Sequence, residues 1–309
     1  MQERILIIRL GALGDLVLCF QAFQSIRDAH PNAEIAILTM PAFADFAKQM
    51  PWFNRVIVDS RAPGWRIDEW IKMARNVRDF APTRVYDLQG KFRQTILYAL
   101  LGGPKGPEWS GAAPGCSHPR LWPPVEGMHY TDFVAAQLRR ADVKMAKEVH
   151  LSWLEAPLDK FRLPSKFVLL IPGCAPERSY KRWPPGRYSD LATKLRADDI
   201  YSVAIGTAHD SQVIHEIVEH TDDVINLCGQ TSLGQVAALA RRSDGVVGND
   251  TGPTHLAAAV GAKTMALLSE HVNPAWSAPR GPQATWMQGD PLSGLSVEDV
   301  LRKFMPSAL

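Results

Sequence analysis

The chain has 309 residues, 46% hydrophobic and 21% charged, with Lys+Arg 34 against Asp+Glu 32 and a net charge of +2. That length fits two domains of about 150 residues, each large enough for its own core. The composition is that of an ordinary globular protein, and the near-balanced charge excludes a global field for nucleic acid, so any attraction for anions must be local.

From the amino terminus, the run RILIIRLGALGDLVLCF reads as a buried strand and then a helix. Arg9 and Asp15 interrupt it and no small-residue cleavage site follows, so it is expected to belong to the fold and not to a signal peptide. Strands are predicted near 4–9, 34–38, 55–58 and 84–88, with helices between them, one over 16–29. Residues 102–124, rich in Gly, Pro and Trp, are expected to form a long surface loop, and 130–141 a helix. Residues 150–166, with Pro157 and Pro164, read as a linker. The alternation then restarts, with strands at 167–171, 201–205, 224–227, 245–248 and 264–268. The helices of this half are predicted at 187–197, 211–220, 233–241 and 254–260. A last helix, 297–304, is expected to pack back towards the first half.

This is the βαβ pattern of an α/β fold, with two doubly wound, Rossmann-like domains, 1–155 and 156–295, followed by a C-terminal segment 296–309. Ligands of such sheets bind outside the carboxyl ends of the strands, so two facing halves imply a cleft lined by strand-to-helix loops. Cys19, Cys116, Cys174 and Cys228 form no C-x-x-C pair, which argues against a zinc site or disulfide framework and suits a reducing cytoplasm. No run of about 18 uninterrupted apolar residues is present to span a membrane.

Several strand-end loops carry candidate chemistry. GALGD, residues 11–15, combines turn-permitting glycines, Gly14 among them, with Asp15, which either caps the next helix or faces a ligand. It is neither a G-x-G-x-x-G dinucleotide fingerprint nor a Walker loop. DLQGK, residues 87–91, offers Gln89 and Lys91 to the same edge. Between residues 55 and 93 there are nine Lys/Arg and five Asp/Glu with Trp65 and Trp70 interleaved, which suits a phosphorylated or amphipathic acceptor or is a solvated helix face. In the second half, SYKRWPPGRYSDLA places Lys181 on a proline-stiffened loop as a point charge for a diphosphate, with Trp183 packed beneath as the alternative. GTAHD ends the next strand with Asp210, a ribose ligand or a helix cap. GNDTGPTHLAAA sets Asp250, Thr251, Gly252 and His255 at a helix start whose free amides attract anions. Asp250 would repel a phosphate and so must serve another group or its own turn.

In this order GALGD, DLQG, YKRWPPGRYSDLA, GTAHD and GNDTGPTHLAAA resemble the heptosyltransferases of glycosyltransferase family 9, over nearly the whole chain. The resemblance implies a GT-B fold and inverting transfer of heptose from ADP-L-glycero-D-manno-heptose to the lipopolysaccharide inner core, Kdo-lipid A or a heptosylated core. By motif position, Asp15 matches the proposed catalytic base. Lys181 matches a lysine near the diphosphate, Asp210 an acidic residue near the ribose, and Asp250, Thr251, Gly252 and His255 the donor loop. RAPGWRIDEW, with Arg61 and Arg66, resembles the arginine-bearing segment of the first heptosyltransferase, which meets acceptor phosphates. No Asp-x-Asp pair is present to hold a divalent ion, so transfer without metal or other cofactor is expected. The expected partners are the nucleotide sugar and a phosphorylated glycolipid, with no nucleic acid, and the expected location is the cytoplasm or the cytoplasmic face of the inner membrane. Another family 9 transferase with a different donor or acceptor, and a non-catalytic nucleotide-sugar binder, stand as alternatives.

Overall fold

In the computed structural model, which describes residues 2–305, the chain divides after Trp153 into two units. The first contains β1 (Arg4–Ile8), α1 (Leu13–Val17), α2 (Phe20–Ala29), β2 (Glu34–Thr39), α3 (Pro41–Gln49), β3 (Arg55–Val58) and α4 (Ile67–Phe80). It continues with β4 (Arg84–Asp87), α5 (Phe92–Leu100), β5 (Glu108–Gly111), β6 (His118–Pro119) and α6 (Tyr130–Arg139). Its six strands, all parallel, lie in the order β3-β2-β1-β4-β5-β6. Central β1 is covered on both faces, with Ile5, Leu6, Ile7 and Ile8 fully buried, which is why it reads as an unbroken apolar run. One face packs Leu6 and Ile8 with Val77 and Phe80 of α4. Phe20 of α2 lies 5.3 Å from Trp52, which is 5.7 Å from Trp153.

The single helix expected over 16–29 is two, α1 and α2, parted at Leu18 and Cys19. Asp15 therefore sits within the first turn of α1 instead of ahead of a longer helix. The expected loop over 102–124 contains two short strands, β5 and β6, whose stabilisation comes from pairing with β4 and with each other, a non-local term that Gly and Pro content does not report.

The second unit contains β7 (Phe167–Ile171), α7 (Pro185–Ala197), β8 (Tyr201–Ala204), α8 (Ser211–Glu219), β9 (Val224–Asn226) and α9 (Leu233–Arg242). After these come β10 (Gly245–Asn249), α10 (Gly252–Ala259), β11 (Thr264–Ser269), α11 (Pro274–Ser277), β12 (Ala284–Gly289) and α12 (Val297–Phe304). Its parallel sheet has the order β12-β11-β10-β7-β8-β9. Counted from its own first strand, that is the arrangement of the first unit, and both are the dinucleotide-fold order. α7 begins at Pro185, two residues earlier than expected, because a first helical position needs no N–H bond. The apolar face of α12, expected to reach back to the first half, is instead buried in the core of the second unit: Val297, Val300, Leu301 and Phe304 share one cluster with Leu191 and Val247. No helix among the described residues is long and apolar enough to cross a membrane.

In each sheet the strand order reverses between the two middle strands, β1 and β4 in one, β7 and β10 in the other. Loops leaving the carboxyl ends of such a pair run to opposite sides and open a crevice. The motif loops GALGD and DLQGK follow β1 and β4, and the Lys181 and Asp250 loops follow β7 and β10.

Candidate active site

In the first unit the switch-point loops are tied to each other. The amide of Leu10 donates to Gln89 Oε1 at 3.0 Å, and Asp87 Oδ1 accepts the amides of Gln89 at 3.0 Å and Gly90 at 2.8 Å. Burial pushes the Asp87 carboxyl up to about 6, against those amides and the nearby Arg120. Gly11 has φ +130°, and a Cβ there would lie 2.3 Å from the Phe43 ring, so the turn into α1 requires glycine on both counts.

Asp15 is held from two sides: Oδ2 accepts the Ala12 amide at 2.8 Å and Oδ1 lies 2.9 Å from Arg9 Nη2. Asp15 thus caps the start of its own helix, yet its side chain remains 46% exposed while Arg9 is buried. Arg9 is fixed in turn, its Nη1 donating to Leu88 O at 2.8 Å and to the Tyr130 hydroxyl at 2.6 Å, with the Tyr130 ring 4.8 Å away. Burial opposes its charge, but Tyr130, Cys19 and Asp15 outweigh burial and hold the guanidinium protonated. Arg9 was visible in sequence only as a charge breaking an apolar run. Such a residue needs a buried partner, and that is the signal by which it could be found.

The other first-unit candidates do not converge as tightly. Gly14 is the residue before Asp15 in α1 and half-buried. Lys91 caps α5 and is exposed. Arg61, at φ 53°, donates its amide to Asp59 Oδ1 at 2.8 Å, and Arg66 pairs with Asp68 at 3.0 Å and Glu69 at 3.6 Å. A buried pair missed by sequence reading sets this segment: Arg93 chelates Asp59 at 2.6 and 2.7 Å and donates to Ala62 O at 2.9 Å.

In the second unit, Lys181 Nζ lies 2.5 Å from Asp250 Oδ2, and His255 Nε2 lies 3.2 Å from Oδ1 of the same carboxylate. Burial would raise the Asp250 pKa, but hydrogen bonds from His255 and Lys181 prevail and lower it, so the carboxylate is ionised. Asp250 serves Lys181 and His255. Its contact with Nε2 places a proton on that nitrogen and leaves Nδ1, buried and with no partner among the described residues, as the ring's remaining polar atom.

Gly252 is the first helical residue of α10 and Pro253 the second, with Thr251 as N-cap. The first intrahelical bond is His255 N to Thr251 O at 3.1 Å, so the amides of Gly252 and Thr254 precede the ladder. The Thr254 hydroxyl donates to Asn249 O at 2.7 Å. Asn249, fully buried and not singled out from sequence, joins the two switch-point loops. Its Nδ2 donates to Pro172 O at 2.7 Å, and its Oδ1 accepts from Trp183 N at 3.1 Å and the Tyr188 hydroxyl at 3.0 Å. Trp183 is fully buried beneath the loop, while Lys181, instead of being solvated, is paired with Asp250.

Asp210 is buried and caps its own turn, Oδ2 accepting from the Thr207 amide and hydroxyl, each at 2.8 Å. Its Oδ1 packs on Gly173, where a Cβ would stand 2.4 Å away.

The profile of glycosyltransferase family 9 (heptosyltransferase) matches residues 70–292. The chain belongs to this family. It is 23% identical over 291 residues to lipopolysaccharide heptosyltransferase 2 of Escherichia coli (strain K12), covering 85% of this chain and 82% of that one. The structure of E. coli ADP-heptose lps heptosyltransferase II is similar at a TM-score of 0.78 and 21% identity, over 100% of this chain and 98% of that one. The glycosyl transferase family 9 structure from Veillonella parvula DSM 2008 reaches 0.83 at 20% identity, over 99% and 97%. This family 9 glycosyltransferase thus has the expected GT-B class of fold, with two parallel six-stranded sheets. The likeness of residues 61–70 to the first heptosyltransferase is not carried by the chain as a whole, which is similar to heptosyltransferase 2 over most of its length.

Proposed function

We propose that the chain transfers a heptose from ADP-L-glycero-D-manno-heptose, with inversion at the anomeric carbon, to the inner core of lipopolysaccharide. The observation that carries this reading is Asp15, a half-exposed carboxylate at a switch point, held by a buried arginine. Membership of a heptosyltransferase family and similarity to lipopolysaccharide heptosyltransferase 2 support it.

In this mechanism Asp15 takes the proton of the acceptor hydroxyl as its oxygen bonds to the anomeric carbon and the carbon–oxygen bond to the diphosphate breaks. Base catalysis of this kind contributes about 10²–10⁴-fold. Gly14, Arg61, Arg66, Gln89 and Lys91 bind the acceptor. Lys181 and the amides after Thr251 stabilise the departing ADP, with His255 Nδ1 as a further contact. Asp250 orients Lys181 and His255 and meets the sugar, and Asp210 Oδ1 meets the ribose. Fixed positive charge in that cradle does the work a divalent ion does elsewhere, so transfer is metal-independent. On this reading the enzyme works in the cytoplasm, at the inner face of the membrane bearing its acceptor.

The test is incubation with ADP-heptose and a panel of truncated lipid A cores, read by mass spectrometry. A heptose added to one core supports the reading. Transfer only from UDP- or GDP-sugars would replace the donor, and ADP-heptose binding with no product on any core would leave a non-catalytic binder.

A further inference from the structure

The carboxyl edge of the first sheet carries large apolar side chains in water. Trp65 is 80%, Phe92 79% and Trp122 72% exposed, and Ile67, Ile71 and Val125 are exposed beside them in sequence. They sit on loops that follow β3, β4 and β6, and at the loop-side start of α4 and α5, so they share one edge of a parallel sheet.

Two arginines join these loops. Arg93, next to Phe92, donates to Ala62 O at 2.9 Å and stacks 3.7 Å from the Trp70 ring, which brings Phe92 to the 62–70 segment. Arg120 donates to Gly90 O at 3.0 Å and lies 5.4 Å from the Trp122 ring, which brings the 120–125 loop to the 90–92 loop. The loops that carry these apolar residues are thus tied to one another on this edge. Large apolar side chains exposed together in this way mark an interaction surface.

Charge decides between occupants. Residues 1–153 carry 19 Lys+Arg against 15 Asp+Glu, and residues 154–309 carry 15 against 17, so the positive excess lies on this unit. On the outward side of α4, Ile67 and Ile71 are followed by exposed Lys72 and Arg75. Protein interfaces are depleted of charge at their core, and a second copy would bring like charge against like. Aromatic tips flanked by cations match the headgroup level of an anionic bilayer.

We propose that this edge docks on an anionic phospholipid surface, with Trp65, Phe92 and Trp122 inserted among the headgroups and Lys72 and Arg75 over the lipid phosphates. It deepens the proposed glycolipid transfer, and rests on it, by naming the face that meets the membrane.

The full chain is floated with phosphatidylglycerol-containing vesicles free of glycolipid, in parallel with the Trp65→Ala/Phe92→Ala/Trp122→Ala variant. Wild type is expected to float with anionic vesicles and at least about tenfold less with phosphatidylcholine alone. The variant, whose changes lie at exposed positions and should leave the melting point unchanged, is expected to lose at least about tenfold in partition. Wild type remaining unbound at low salt, or variant and wild type floating equally, overturns the proposal. A wild-type dimer that the variant abolishes would overturn it in favour of a second copy. Because the vesicles lack acceptor, failure to float counts against docking alone, and failure of the heptose assay counts against the transferase reading alone.

Discussion

Lys181 Nζ and His255 Nε2 approach different oxygens of one carboxylate, Asp250, at 2.5 and 3.2 Å. The lysine ammonium is thereby aimed by the carboxylate and partly neutralised by it. Asp250→Asn removes the charge while keeping the shape. Breaking such a buried pair costs about 3 kcal/mol, and the melting point is expected to fall by roughly 10 °C at neutral pH. The sign follows from the lowered pKa: the stabilisation is complete above the ordinary carboxylate pKa of about 4 and fades as pH falls through the folded value. Thermal melts of the two proteins should therefore converge in acid, and a constant gap down to pH 3 would contradict the ion pair.

Asp87 is predicted to do the opposite. Its folded pKa, raised to about 6, means that the neutral form favours the fold, so stability is full below about pH 4 and falls as pH rises through 6. Asp87→Asn still accepts the Gln89 and Gly90 amides but cannot ionise. Relative to this variant, wild type is expected to lose up to about 3 kcal/mol between pH 4 and 7, measured by denaturant titration.

On the proposed mechanism, with Asp15 as base and Lys181 and the α10 amides as nucleotide ligands, Asp15→Ala should lower kcat by at least about 10²-fold while leaving the affinity for ADP unchanged. Calorimetry with ADP and single-turnover assays separate the two effects. Unaltered turnover would remove Asp15 as the base.

Gly248→Ala would set a Cβ 2.5 Å from Thr254 Oγ1 and 2.8 Å from Ile171 Cβ. The start of α10 must then shift, at a cost of about 1–3 kcal/mol. Nucleotide affinity is expected to fall at least tenfold with the first unit unaffected, as titration with ADP would reveal.

Excess EDTA is expected to leave the transfer rate unchanged, because on the proposed mechanism Lys181 and the α10 amides, not a metal ion, meet the diphosphate. Strict dependence on added magnesium or manganese would refute this part of the mechanism.

Much of the fold was readable because local pattern and global demand coincide. The unbroken apolar runs of β1 and β7 announce strands buried on both faces, and Val297, Val300, Leu301 and Phe304 keep helical spacing over the length found for α12. The failures are non-local. β5, β6 and β12 are held by neighbours distant in sequence, and nothing in ATWMQG itself demands an edge strand. The destination of α12 depended on which core could accept its face. The same division runs through the site. Polar residues at strand ends marked GALGD and GNDTG as loops of interest. Arg9 meeting Tyr130, and Lys181 meeting Asp250, span 121 and 69 residues, and only the folded chain discloses them.

The shared strand order also sets where these units tolerate change. The loops bearing Asp15 and Asp250 leave inner strands whose neighbours and buried polar contacts fix them, so an inserted residue there disturbs several bonds at once. Connections at the outer strands, such as residues 121–127 after β6, are mostly exposed and can lengthen or shorten at little cost. Grip on a new acceptor can thus be acquired at the margin of the scaffold while the reactive centre is inherited intact.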